Sequence, residues 1–210
     1  MHQLTFAPPA VRDAYAAAGD SFVDLVRAVP PDAWRRPSLG VWTLQELIGH
    51  ACRAFVTVST YLRDGEGLEV TVEHPFDYFD VLASSYADQD AVAERGRAAG
   101  GELGDDPLAR VIELRDTAMA AVGAAADDAP VATPVGVMRL VDYLPSRVVE
   151  LTVHSGDVAG AIGVLFVPDR TAAEIVFACL GHLAAARGDA SDAMRALAGR
   201  RPLPEGFTLF

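Results

Sequence analysis

Apolar positions recur along most of the chain at three- and four-residue steps, the spacing that lines one face of a helix. Val11, Tyr15, Ala18, Phe22, Leu25, Val26 and Val29 form the first such stripe, and Pro30-Pro31 ends it. A loop holding Trp34, Pro37, Gly40 and Trp42 follows. Thr43 then opens a second helix, with Glu46 three residues on as its capping-box partner. Its stripe is Leu44, Leu47, Ile48, Ala51, Phe55, Val58 and Leu62, closed by Asp64-Gly65. Residues 65–84 read as a crossover, briefly extended at Val70-Thr71-Val72 and anchored by Phe76, Tyr78 and Phe79.

Helical composition returns over Tyr86–Ala99 and breaks at Gly100-Gly101. Pro107 sits just inside a third long helix that runs to about Ala126. Ala129–Gly136 reads as a turn-rich or extended connection. A fourth long helix spans about Leu140–Ala161, and Pro145 within its first turns either kinks it or shifts its start. Beyond Pro168 come an apolar helix over Ala172–Arg187, a short helix, and a Pro/Gly-rich tail ending at Phe210. Long helices with a lengthy connection after the second predict an all-α chain. The expected layout is a four-helix bundle over residues 1–165 and a helical extension over 166–210 packed on it.

Composition changes this picture mainly by exclusion. All 17 basic residues are arginine, so no lysine is available for a Schiff base, a pyridoxal-phosphate linkage, a Walker-type phosphate loop or a Ser-Lys dyad. The net charge of −12 argues against nucleic acid or an anionic membrane surface as partner. An anionic substrate would be repelled by the whole molecule and would need a local arginine to hold it. Cys52 and Cys179 are too few for a disulfide framework and lack zinc-finger spacing, so a reducing cytoplasm is expected. Met1–Ala10 has neither the basic start nor the apolar core of a signal peptide. The near-apolar stretch Val158–Val167 falls well short of the roughly 20 residues a membrane span needs.

The fourth helix carries the candidate chemistry. Arg147, Glu150, His154 and Asp157 fall at steps of three, four and three, one narrow polar stripe between apolar flanks. One reading is a solvated face with an Arg147–Glu150 pair. The stripe is thin, however, and polar groups on a mostly buried helix need partners. Glu150 and His154, four residues apart, can present a carboxylate oxygen and an imidazole nitrogen to one ion. A third ligand could come from His50 on the second helix, which reads equally as a core histidine. His182 lies in an apolar run, His74 in the crossover and His2 at the terminus. Cys52 is about 200° round the helix from His50 and should not share an ion with it. By helix phase, Trp42, Tyr61 and Phe55 are placed to form the floor of a pocket beside His50.

An ordered set of motifs carries a resemblance. Trp34, Trp42-Thr43 and His50 are followed by Gly136 and Asp142-Tyr143-Leu144. Then come R-x-x-E-x-x-x-H-x-x-D at Arg147–Asp157 and a closing Ala198-Gly199-Arg200-Arg201-Pro202-Leu203-Pro204. Together they resemble the mycothiol-dependent maleylpyruvate isomerase N-terminal family of the DinB-like metalloenzyme superfamily. The resemblance implies a DinB-like bundle in which His50, Glu150 and His154 hold a divalent metal, usually zinc (Ni2+ is another candidate). It also implies a low-molecular-weight thiol cosubstrate such as mycothiol, bound as thiolate, for which the helix-phase reading offers Trp42 and Tyr61 as binding residues. Such a thiolate would attack a small electrophile in S-transfer or in cis–trans isomerisation.

The candidate catalytic residues are Arg147 and Asp157. Arg147 would orient Glu150 or face an anionic substrate group, and Asp157 would hold the free ring nitrogen of a ligand histidine or serve a structural role. Arg200 and Arg201 read as a solvated pair, with the pocket mouth as the alternative. A homodimer is the oligomeric state the resemblance suggests. Two other functions share the fold: a metal-dependent hydrolase that activates water, and a non-catalytic ligand-binding or stress protein.

Overall fold

In the computed structural model, residues 5–79 and 89–209 are described. The elements in order are α1 (Pro8–Arg27), α2 (Leu44–Gly65), α3 (Gln89–Gly101), α4 (Pro107–Ala124), β1 (Pro130–Thr133), β2 (Gly136–Arg139), α5 (Leu140–Ile162), α6 (Arg170–Arg187) and α7 (Ala190–Leu197). The fold is all-α and DinB-like, with only one small two-stranded sheet among the described residues. His2, residues 86–88 at the expected start of the helix before Gly100, and Phe210 lie outside the described residues.

Local chemistry sets the helix ends. α1 starts earlier than its apolar stripe because Pro8 and Pro9 occupy first-turn positions where no intrahelical N–H is needed. In α2 the capping box forms as expected: Thr43 N–H donates to Glu46 Oε2 at 2.7 Å, and Glu46 N–H reaches Thr43 Oγ1 at 3.4 Å. Asp106 caps α4 through Ala109 N–H at 3.1 Å. Pro145 lies inside α5 without moving its start, since the helix runs unbroken from Leu140. Gly163 closes α5 and Gly188 closes α6, both in the left-handed conformation.

Helices α1, α2, α4 and α5 form the bundle, with α1 and α2 on opposite corners. Arg12 near the start of α1 donates to Val122 O and Ala125 O at the end of α4, while Arg115 of α4 pairs with Asp20, so these two helices run antiparallel. α2 and α5 are also antiparallel. Tyr143 Oη donates to Thr57 Oγ1 at 2.9 Å toward one end, and His50 faces Glu150 toward the other. Phe55 packs edge-on between Tyr15 and Phe22 at about 6 Å between ring centroids and is fully buried, so it belongs to the core. α6 packs along α5 and α1, and α7 packs on α6.

The connection over 129–139 is a hairpin, β1 paired antiparallel to β2, extending the turn-rich segment expected there. The extended crossover docks on it: Thr71 and Val72 N–H both donate to Val137 O. Gly136 makes this possible. Its φ is +132°, and a Cβ there would lie 2.8 Å from Thr71 Oγ1 and Val72 Cγ2.

Helix α3 lies closely along α2. A Cβ on Gly49 would fall 2.4 Å from Gly100 N, and one on Gly100 would fall 2.7 Å from Glu46 Cα. Backbone therefore meets backbone at this seam, and no larger residue fits without moving α3. Gly49→Ala tests the point because two effects oppose. Alanine in a helix should stabilise by up to about 1 kcal/mol. The backbone clash should cost about 1–3 kcal/mol. Net destabilisation in urea titration, with a change in the near-ultraviolet signal of the adjacent Trp42, is the expected outcome. A neutral or more stable variant would show that the seam does not hold α3.

Candidate metal centre

His50 projects from α2 about two turns beyond the Thr43 cap, and Glu150 and His154 project from α5 opposite it. The Nε2 atoms of both histidines point at one carboxylate oxygen: Glu150 Oε2 lies 3.9 Å from His50 and 3.5 Å from His154. One donor atom from each of the three lies within 4.8 Å of the others. Metal bonds of about 2.1 Å at tetrahedral angles place ligand atoms about 3.4 Å apart, so this donor set fits a divalent ion. Two imidazole nitrogens and a carboxylate are also the ligand chemistry of a catalytic zinc site with a position left open.

Each of the three side chains is held from behind. His154 Nδ1 meets Asp157 Oδ2 at 2.9 Å, which places the ring proton on Nδ1 and leaves Nε2 as the donor to an ion. Glu150 Oε1 faces Arg147 Nη2 at 4.0 Å. The Arg147 guanidinium is buried between the rings of Tyr78 and Tyr143, with centroids 5.5 and 4.9 Å away. It donates to Tyr78 Oη at 3.2 Å and Ser146 Oγ at 3.0 Å. His50 is held by stacking: the Trp42 ring lies 4.5 Å from it at 30°, and Trp42 Nε1 donates to Ala93 O of α3 at 3.0 Å. Gly96 lets the indole lie flat on α3, since a Cβ there would fall 2.4 Å from it. His50 Nδ1 is buried with no hydrogen-bond partner among the described residues.

The charges follow from this packing. Burial lowers His50 to about 4, against the pull of Glu150, so it is neutral and ready to ligate. Burial works to raise Glu150, but the His154 hydrogen bond and the Arg147 charge outweigh it and hold the carboxyl at about 2. Burial likewise opposes charge on His154, yet hydrogen bonds to Asp157 and Glu150 push it up to about 9.

These residues open on a cleft of about 240 Å³, walled by Leu39, Trp42, Val92, Val149 and Val153. The structure therefore brings His50, Glu150, His154, Asp157 and Trp42 to one place, with Arg147 directly behind Glu150. Tyr61 does not line the cleft; it packs 5.9 Å from Tyr143, three turns further along α2. Cys52 faces a separate pocket between α2, α3 and α4. His182 stacks on Phe76 at 4.2 Å, and Arg201 pairs with Asp192. Sequence reasoning missed Leu39 and Val92 as walls and Tyr78 as the arginine's partner. The crossover's aromatic run was the visible signal for Tyr78, whereas nothing in helix phase marks a loop leucine.

The family model described as mycothiol maleylpyruvate isomerase N-terminal domain matches residues 15–159, a span that contains His50, Glu150, His154 and Asp157. No curated protein and no solved structure matches the chain.

Two measurements follow from the charges and contacts. At pH 7 His50 is neutral, Glu150 ionised and His154 protonated, so loading a divalent cation should release about one proton. Affinity should then rise about tenfold per pH unit up to about 9 and level off above it, as calorimetry in buffers of different ionisation enthalpy would report. Separately, Asp157→Asn should weaken zinc binding by about 10–100-fold while leaving thermal stability near that of the parent. Unchanged zinc affinity would make Asp157 a merely structural neighbour.

Proposed function

The chain belongs to the mycothiol maleylpyruvate isomerase N-terminal domain family, and from that premise we propose that it is a divalent-metal-dependent enzyme acting with a small thiol cosubstrate. The thiol is mycothiol or a compound like it, and the reaction is S-transfer to, or cis–trans isomerisation of, a small electrophile. The observation that carries this reading is the His50, Glu150, His154 donor set facing an apolar cleft, with Asp157 behind one ligand. A zinc or similar ion bound by those three would supply the positive charge that lowers the pKa of a coordinating thiol.

The chain's own residues do the rest. Glu150 contributes a permanent negative charge because Arg147 and the histidines keep it ionised. Asp157 orients His154, and Trp42 both fixes His50 and walls the cleft. Apolar walls exclude water from the space beside the ligands, which strengthens their electrostatics. Neither cysteine is placed to act as nucleophile. Both are buried, and burial pushes Cys179 up to about 12 and Cys52 higher still. The reactive sulfur must therefore arrive with a cosubstrate.

No helix among the described residues is long and apolar enough to cross a membrane. We place the enzyme in the cytoplasm, where two reduced cysteines and a thiol cosubstrate are compatible.

Metal analysis and a thiol-dependence assay test the proposal together. Purification without chelator should yield about one equivalent of zinc or another divalent ion, and His50→Ala should lose it with only a modest fall in melting temperature. Turnover should require added thiol. Activity on the same substrates without thiol would favour the hydrolase reading, and a folded chain that takes up no metal would overturn the proposal.

A further inference from the structure

The pocket between α2, α3 and α4 gathers positive charge. It has a volume of about 110 Å³, and each of the three helices sends one arginine to it: Arg53, Arg95 and Arg110. Cys52 and Leu103, both buried, line it beside them, and burial keeps the Cys52 thiol neutral. Glu102 is the one carboxylate on the lining, and among the described residues it forms no ion pair with any of the three. The pocket shares no lining residue with the cleft at the metal centre.

Acidic residues outnumber arginines by 29 to 17 in this chain, and most arginines lie against a carboxylate. Arg53 and Arg95 have no ion-pair partner among the described residues. Arg110 has the exposed Glu113 of its own helix, 2.7 Å away, and a surface pair of that kind is worth little. Like charges brought to one small pocket repel, and a bound anion removes that cost. The volume is well below the about 300–1,000 Å³ of pockets that enclose a whole drug-sized ligand, so it suits a single ionic group. One bidentate arginine satisfies a planar carboxylate, whereas guanidinium groups from three helices suit a tetrahedral oxyanion. A phosphate ester carries about −1.5 to −2 at pH 7, close to the excess of two positive charges on the lining.

We propose that Arg53, Arg95 and Arg110 form a phosphate site separate from the metal centre, which takes inorganic phosphate or the phosphate end of a small metabolite and thereby ties α3 to α2 and α4. The site itself does not depend on a metal. Its effect reaches the centre through α3. Arg95 adjoins Gly96, on which the Trp42 indole lies, and Val92 of the same helix is on the cleft wall. Phosphate is thus an effector of the proposed enzyme, whatever thiol and electrophile it uses.

Calorimetric titration of the full chain with inorganic phosphate, at about pH 7.5 and constant ionic strength, should show one saturable site. Arg95→Gln and Arg110→Gln should each weaken it about tenfold or more, since each removes a charge-assisted contact. Arg187→Gln, at an exposed position on α6, should leave it unchanged. His50→Ala, which disrupts the metal centre, should bind phosphate as the parent does. Saturating phosphate, but not chloride, should slow amide hydrogen exchange across α3. Glycerol 3-phosphate separates the two sources: binding at least as tight as inorganic phosphate identifies the phosphate end of a metabolite, and clearly weaker binding identifies the free ion. No saturation by roughly 20 mM of either would overturn the proposal. So would phosphate binding that survives both arginine substitutions in folded variants, or binding lost in His50→Ala, which would put the anion at the metal centre. Unchanged exchange across α3 at saturation would overturn the effector role.

Discussion

A carboxylate kept ionised inside a helix bundle is the constraint on which this structure turns. Burial alone would neutralise Glu150, and an unpaired buried charge is among the costliest features a fold can carry. Its two oxygens are compensated from two directions. Oε1 faces Arg147, and Oε2 faces the Nε2 atoms of His50 and His154. Arg147 then needs compensation of its own, which comes from Ser146, Tyr78 and the faces of Tyr78 and Tyr143. Tyr143 in turn donates to Thr57 on α2. The polar interior is a chain of partners that begins at one carboxylate and ends on the opposite helix.

That dependence explains which parts of the site were legible in sequence. Three-and-four spacing puts Arg147, Glu150, His154 and Asp157 on one face of α5, and the thinness of that stripe between apolar flanks signals burial. Periodicity is a property of one helix, so it cannot say which residues of another helix lie opposite. His50 on α2 therefore reads equally as ligand and as core histidine from spacing alone, and it is the antiparallel packing of α2 on α5 that sets it opposite Glu150. The same limit accounts for Tyr61 and Phe55. Helix phase put them near His50, but three turns of rise carry Tyr61 to Tyr143, and Phe55 turns to Tyr15 and Phe22.

The bundle itself was legible because caps and breakers are local. The Thr43–Glu46 box, Pro107 and Gly163 mark helix ends by chemistry that acts within a few residues. The hairpin at β1–β2 was only half legible, since its extension past Gly136 depends on the crossover strand at Thr71-Val72 arriving alongside it. Glycine roles were hidden for a similar reason. Gly49, Gly96 and Gly100 are places where another backbone or an indole must approach within contact distance, which the periodicity of one helix does not register.

The two facing histidines are consequently fixed in different ways. His154 is anchored by Asp157 on its own helix, one turn away, so the α5 half of the centre is set by local structure. His50 has no such partner; its Nδ1 makes no hydrogen bond among the described residues, and Trp42 stacking sets its ring. Trp42 is seated by Ala93 and Gly96 of α3, and α3 is seated by the Gly49–Gly100 contact with α2. The α2 half of the centre is therefore a product of tertiary packing that runs through α3. The residues that close the seam also place Val92 on the cleft wall, so ligand geometry and the shape offered to a substrate are set by one packing arrangement.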